Sequence, residues 1–384
     1  MKKKIIIILT MLIILLSGCW DVNEPERMLY IYGLGVDYKD GKYDVYAQIV
    51  DFSIIAKSEQ PNKEAIQAAV GHASGSTMDE AIFELYHSMD QKLFWGNLTY
   101  LILTEEVLKN GHANSTINTF VRYRETRYKT WVYSTKDSVK EILLTTPILN
   151  RSMSLSKIAD PMNSYAQESL VKPINFRKMI IRLNEPSHEV SIPLVSIKEN
   201  WETEKETEIA TSINGVAVIS PNELKGFITE KKVRGLQWMT NETKRGEITV
   251  KLDSSNDKYL TVVLDKIKVK VTPNVENDKV KFEIDVKMDA TVSGFQENLT
   301  DDEIRKAVEK EVKKEIEETY EVALKNDIDI YRLSEYVYRY NAKKWKEVQK
   351  DGKVDLTKDS IRSITVNISK VNSGRKSFKK TISD

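Results

Sequence analysis

Ile5 to Leu16 is apolar at every position except Thr10, and Lys2, Lys3 and Lys4 precede it. Crossing a bilayer takes roughly 20 residues, so a run this short reads as the h-region of an export signal. No later run reaches the length of about 18 apolar residues that a membrane helix needs, so the rest of the chain is expected to hold no transmembrane helix. The only cysteine, Cys19, has no second cysteine with which to form a disulfide. Whatever follows the signal must therefore be held by packing. A hydrophobic content of 41%, with 15 Gly and 9 Pro in 384 residues, allows real cores and argues against disorder.

Leu16-Ser17-Gly18-Cys19 resembles a lipobox, at which a bacterial lipoprotein signal peptidase leaves Cys19 as the new N-terminus. The three lysines keep the start of the signal on the cytoplasmic side, so the rest is delivered outside. Two acyl chains on Cys19, each gaining about 0.8 kcal/mol per buried methylene, would anchor the body stably to a membrane where one chain is marginal. Residues 1–18 are thus expected to be a lipoprotein signal peptide, and 19–28 a short polar tether.

Length favours two or three domains at about 150 residues each. With 58 basic and 57 acidic residues, the chain has no long-range field to gather a polyanion, so nucleic acid is not an expected partner.

Leu29 to Val36 and Tyr43 to Val50 are strand-like, and Lys39-Asp40-Gly41-Lys42 between them signals a hairpin turn. Ile66 to Ala73 reads as another strand, and Thr77-x-x-Glu80 as a capping box before a helix carrying Ala81, Ile82, Leu85 and Met89. Leu98 to Leu103 reads as a buried strand, followed by a short helix from Thr104 that Gly111 ends. Further helices are expected at 115–123, 137–144 and 176–183, with strands at 131–134 and 189–197. The polar stretch Ser152 to Val171 is also read as helix.

Lys198 to Glu208 is almost entirely charged and polar, as a solvated linker or a hairpin excursion would be. A domain boundary is placed near 200–210. Beyond it come strands at 213–219, 224–228, 247–252, 259–271 and 279–293, with a helix around 230–239 between the second and third. Val280, Phe282, Ile284, Val286 and Met288 alternate onto one face of the last strand. Thr300 and Glu303 form a capping box for a helix over 301–325, whose Ile304, Ala307, Val308, Val312, Ile316, Tyr320 and Ala323 recur at steps of three or four. Tyr331, Tyr336, Tyr338, Tyr340 and Trp345 mark a second helical stretch, read first as core and second as interface. A last strand spans Ile361 to Val371. The fold class is α+β, with multi-domain mixed sheets flanked by helices. Residues 29–200 form an N-terminal α/β region, open to division into two subdomains, and 210–375 a C-terminal α/β domain.

Reactive constellations are missing from the sequence. His72, His87, His112 and His188 make no H-E-x-x-H or other metal spacing. There is no G-x-S-x-G elbow and no P-loop, and Gly33-Leu34-Gly35 lacks the third glycine of a dinucleotide fingerprint. Acidic pairs such as Glu105-Glu106 and Asp301-Asp302 stand at helix starts, where capping accounts for them. The expectation is a protein that is not an enzyme and takes no cofactor or metal.

Cys19-Trp20-Asp21 followed by Glu24, Gly33-Leu34-Gly35-Val36-Asp37, and Phe94-Trp95-Gly96-Asn97-Leu98 with Leu101-Ile102-Leu103-Thr104-Glu105 together resemble the Ger(x)C family. The Arg-rich run Phe120 to Arg127 is similar to a helix of that family. So are Gly215-Val216-Ala217-Val218, Leu224-Lys225-Gly226 and Arg234-Gly235-Leu236-Gln237-Trp238. Two places depart from its pattern: Asn97 stands where many members have His, and DIDIYRLS, from Asp327 to Ser334, replaces an expected Gly-rich segment.

The resemblance implies the lipoprotein C subunit of a bacterial spore germinant receptor. Such a subunit works with an A subunit and a multi-spanning B subunit at the outer face of the spore inner membrane. Lipidation is expected at Cys19, and Trp20, Asp21, Arg122, Arg124 and Arg127 are candidate partner contacts, the arginines also being compatible with a solvated helix face. An extracytoplasmic lipoprotein that captures a small ligand is the alternative.

Overall fold

The computed structural model describes Lys3 and residues 28–50, 68–123, 127–204, 207–252, 258–276, 279–295 and 299–373. The expected signal peptide apart from Lys3, and the tether apart from Met28, lie outside the described residues. Cys19, Trp20, Asp21 and Arg124 fall there too.

Strands β1 (Met28–Lys39), β2 (Lys42–Val50), β3 (Ala68–Gly75), β4 (Lys92–Phe94), β5 (Tyr100–Thr104), β6 (Trp131–Thr135), β7 (Val190–Glu202), β8 (Thr207–Ile219) and β9 (Leu224–Thr229) make one large sheet. Its order is β3-β2-β1-β5-β6-β7-β8-β9, with β4 beside β1. The interior pairs β1-β5, β5-β6 and β6-β7 are parallel, and the outer pairs β1-β2, β2-β3, β7-β8 and β8-β9 antiparallel. Parallel strands are covered on both faces, which explains the unbroken apolar run Tyr100-Leu101-Ile102-Leu103 in β5. Leu101 and Leu103 enter one core, Tyr100 and Ile102 the other.

The Asp40-Gly41 turn has φ of 52° and 80°, the two positive values that match a two-residue hairpin to strand twist. Helices here are α1 (Met78–His87), α2 (Glu105–Leu108), α3 (His112–Arg122), α4 (Val139–Leu144), α5 (Pro161–Gln167) and α6 (Phe176–Asn184); α5 turns towards the C-terminal half, where Ala166 lines a pocket with Lys244 and Arg245. Thr77 caps α1 by accepting from the Glu80 amide at 3.1 Å, while the Glu80 carboxylate accepts from the Ser76 amide. Gly111 does not end α2, which stops at Leu108. It begins α3, with φ of 77°.

The helix expected across Ser152 to Val171 is mostly absent. Only α5 and a single 3-10 turn at Met153–Leu155 form there. Ser152 and Ser156 accept from the amides of Ser154 and Ala159, local bonds that compete with a helical ladder. Pro161, lacking an amide hydrogen, can only open a helix at that point.

The charged run near residue 200 is the hairpin excursion of the two readings: Trp201 pairs with Glu208 and Glu202 with Thr207. Backbone pairing thus continues through the region where a boundary is expected. Side chains of β8 serve two cores. Val216 and Val218 enter the C-terminal core, and Ala217 and Ile219 the N-terminal one.

After α7 (Gly235–Trp238), strands β10 (Gly246–Lys251), β11 (Tyr259–Glu276) and β12 (Lys279–Phe295) form an antiparallel meander. Helix α8 (Asp301–Leu324) follows, then α9 (Leu333–Tyr340), α10 (Ala342–Val348) and the small hairpin β13 (Gln349–Lys350) with β14 (Lys353–Val354). Strand β15 (Ile361–Asn372) adds in parallel to β12. The alternating face of β12 and the stripe of α8 meet in one core, where Phe282, Val286, Val308, Val312 and Ile316 are all 0% exposed. Both halves of the Thr300/Glu303 capping box are formed. The aromatic stripe divides: Tyr331 and Trp345 are buried, and Tyr338 and Tyr340 exposed.

Candidate functional site

The Arg234-Gly235-Leu236-Gln237-Trp238 motif seats α7 on the middle of α8. Arg234 Nε and the Trp238 indole Nε1 donate to the two oxygens of Glu315 at 2.5 and 2.6 Å. The Gly235 amide donates to Thr319 Oγ1 at 3.0 Å. A Cβ on Gly235 would lie 2.6 Å from the Glu315 carbonyl oxygen and 2.5 Å from Tyr331 Oη, so this approach needs a glycine.

A second polar cluster joins the large sheet to the C-terminal half. Glu189, 2% exposed, accepts from Lys353 Nζ and from the Asp329 amide, both at 2.7 Å. Burial pushes its carboxyl above the ordinary carboxylate value, and Lys353 opposes the shift. Asp329 in turn accepts from the Leu333 and Ser334 amides at 2.7 and 2.8 Å, satisfying the first two amides of α9 from three residues before its N-cap, Arg332. Arg332 donates to the carbonyls of Arg182, Pro186 and Glu189 and to the Glu335 carboxylate. In the DIDIYRLS segment, Asp327 and Arg332 adopt φ of 52° and 54°. The left-handed turns that a Gly-rich segment would supply are therefore made by other residues.

Between these clusters lies a cavity of about 430 Å³. Val171, Val216, Val218, Leu236 and Ile330 give it apolar walls, and charged groups reach it from both halves. Glu242 is held by Lys172 at 2.5 Å, and Glu335 by Arg332 and Arg339 at 2.7 and 2.6 Å. The guanidinium of Arg182, on α6, makes no hydrogen bond or ion pair among the described residues. Burial first, and the neighbouring charge of Arg332 second, push its pKa down. Gln237 and Tyr165 are each 3% exposed, and Nε2 of the one and Oη of the other have no partner among the described residues.

The arginines singled out in the sequence stand elsewhere. Arg122 ends α3 and Arg127 lies in the following loop, both exposed and neither on the cavity wall. The histidines have structural neighbours: His112 stacks on Tyr38, His72 on Tyr46, His87 lies 3.4 Å from Glu84, and His188 Nδ1 is 2.9 Å from the Leu183 carbonyl. Gln237 belongs to a motif visible in the sequence, but nothing in the sequence marks Arg182, because its lack of a partner arises only when distant segments come together.

The comparisons with known proteins cover both halves. Residues 21–197 match the family model described as spore germination protein N-terminal domain, and 214–374 that described as spore germination B3/GerAC like, C-terminal. Spore germination protein KC of Bacillus subtilis (strain 168) is 23% identical over 374 residues, which cover 91% of this chain and 90% of that protein. Spore germination protein B3 of the same organism is also 23% identical, over 281 residues covering 72% and 71%. The crystal structure of the GerBC protein has the same fold, with a TM-score of 0.55 at 17% identity over 88% of this chain and 96% of that one. With both halves matched in order along nearly the whole length, the chain belongs to the Ger(x)C family of spore germination proteins.

Proposed function

We propose that this protein is the C subunit of a spore germinant receptor. In this reading it is held by a lipidated Cys19 on the outer face of the spore inner membrane, docks on A and B subunits, and supports nutrient-triggered germination without catalysing a reaction. The observation that carries the reading is the match of both halves, in order, to spore germination families. The lipobox-like Leu16-Ser17-Gly18-Cys19 and the missing catalytic motifs support the anchor and the non-enzymatic role. Trp20, Asp21 and the exposed Arg122 and Arg127 are the contacts proposed for membrane or partner subunits.

The test is a gene deletion in a strain with no second copy of the family, scored for germination on nutrients. Loss of the nutrient response is expected, and a normal response would sink the reading. In the same strain, Cys19→Ala should leave a folded protein that is poorly retained by the membrane. Unchanged fractionation would show that protein contacts hold the subunit in place of acyl chains.

A further inference from the structure

Four acidic and four basic side chains line the cavity between the two halves, and their hydrogen bonds and ion pairs leave one cation out. Each lining carboxylate is engaged: Glu189 by Lys353 and the Asp329 amide, Glu242 by Lys172, Glu335 by Arg332 and Arg339, and Asp329 by two amides of α9. Among the lining cations, Lys172, Arg332 and Arg339 are spent on those pairs. Arg182 alone of the four has no partner among the described residues. The Gln237 amide and the Tyr165 hydroxyl, both almost fully buried in the same lining, are unmatched as well. Leaving buried donors unpaired is costly, so a cavity that keeps several of them suits a molecule bringing acceptors.

We propose that this cavity is a binding site for a small monocarboxylate. Its carboxylate would pair with the fork of Arg182, and a further acceptor would take the Gln237 amide. Its carbon skeleton would rest on Val171, Val216, Val218 and Leu236. The volume is in the range of small-molecule sites, which run from about 300 to 1,000 Å³ and combine apolar walls with a few convergent polar groups. A guanidinium matches a carboxylate bidentately, which fixes orientation as well as charge. One guanidinium with no direct ion pair offers a fork for a single carboxylate, and the carboxylates of Glu242 and Glu335 nearby disfavour a dianion such as phosphate. The site is built from α6, β8, α7 and the segment entering α9, so occupancy would also bridge the two halves. The proposal is independent of the role in germination: it concerns what the isolated protein binds.

The test uses the full-length protein in a non-ionic detergent, titrated by calorimetry with monocarboxylates from acetate to hexanoate and with benzoate. The corresponding amides and inorganic phosphate serve as controls. At least one monocarboxylate should bind saturably at one site, with its amide weaker by about tenfold or more, as expected for loss of a charge-assisted pair. Arg182→Gln should weaken binding by a similar factor, and Arg182→Lys should recover part of it. If Arg182→Gln proves unfolded by circular dichroism, Gln237→Met, which keeps bulk and removes the amide, should still lower affinity measurably. No saturable carboxylate, affinities unchanged by the folded variants, or phosphate binding where carboxylates fail would each overturn the assignment.

Discussion

Burial raises the Glu315 carboxyl above its ordinary pKa even though Arg234 and the Trp238 indole both favour its charged form. The sign of the resulting pH effect follows from proton counting. With its folded pKa above the unfolded one, the folded state holds the proton more tightly, so stability falls as pH rises from the ordinary carboxylate value through the elevated one. Glu315→Gln keeps the shape and has no proton to lose. The stability of the wild type relative to this variant should therefore decrease as pH climbs through that window. Denaturation midpoints of the two proteins, measured at a series of pH values, check this. A difference that grows with pH would mean that pairing with Arg234 outweighs burial.

Two glycines separate conformational from steric demands at the level of the elements. Gly41 sits at φ of 80° in the β1-β2 turn, and a Cβ added there would meet nothing within 4 Å, so Gly41→Ala should cost only the left-handed penalty, about 1–2 kcal/mol. Gly235 meets the α8 backbone and the Tyr331 hydroxyl, so Gly235→Ala must push α7 off α8 at a cost of about 3 kcal/mol, the upper end of overpacking. Chemical denaturation of both variants should show that order, and equal losses would mean that α7 can slide without penalty. The same contrast explains what the sequence discloses. The hairpin turn and the capped, striped α8 are specified by residues within a few positions of each other, and both form as their local patterns require. The stretch from Ser152 to Val171 takes its course from remote partners: Tyr133 Oη donates to the Ile158 carbonyl, and Ser169 Oγ accepts from the amides of Lys244 and Arg245. No local pattern could announce those bonds. The candidate site is illegible for the same reason, since Arg182, Gln237 and Arg332 become neighbours of one cavity only after the two halves pack.

Across the whole molecule, the two halves are tied by β8, whose alternate residues serve different cores, and by the polar cluster around Glu189. Arg332 is central to that cluster because one side chain satisfies the carbonyls of residues 182, 186 and 189, all on the opposite half. Its backbone is left-handed, at φ of 54°, so Arg332→Gly removes the side chain without adding backbone strain. Relief of the left-handed strain offsets part of the loss, so the measured change is a lower bound on the contacts. Three buried or partly buried carbonyls lose their donor and Glu335 keeps only Arg339, a change on the order of 3 kcal/mol for removing one partner of a buried charged cluster. Because the cluster spans the boundary, that loss should fall on the coupling between halves more than on either core. Scanning calorimetry of the full-length protein should accordingly show one transition in the wild type and two in Arg332→Gly, with the lower one displaced downward. A single transition with an unchanged midpoint would show that β8 alone is enough to make the two halves unfold together.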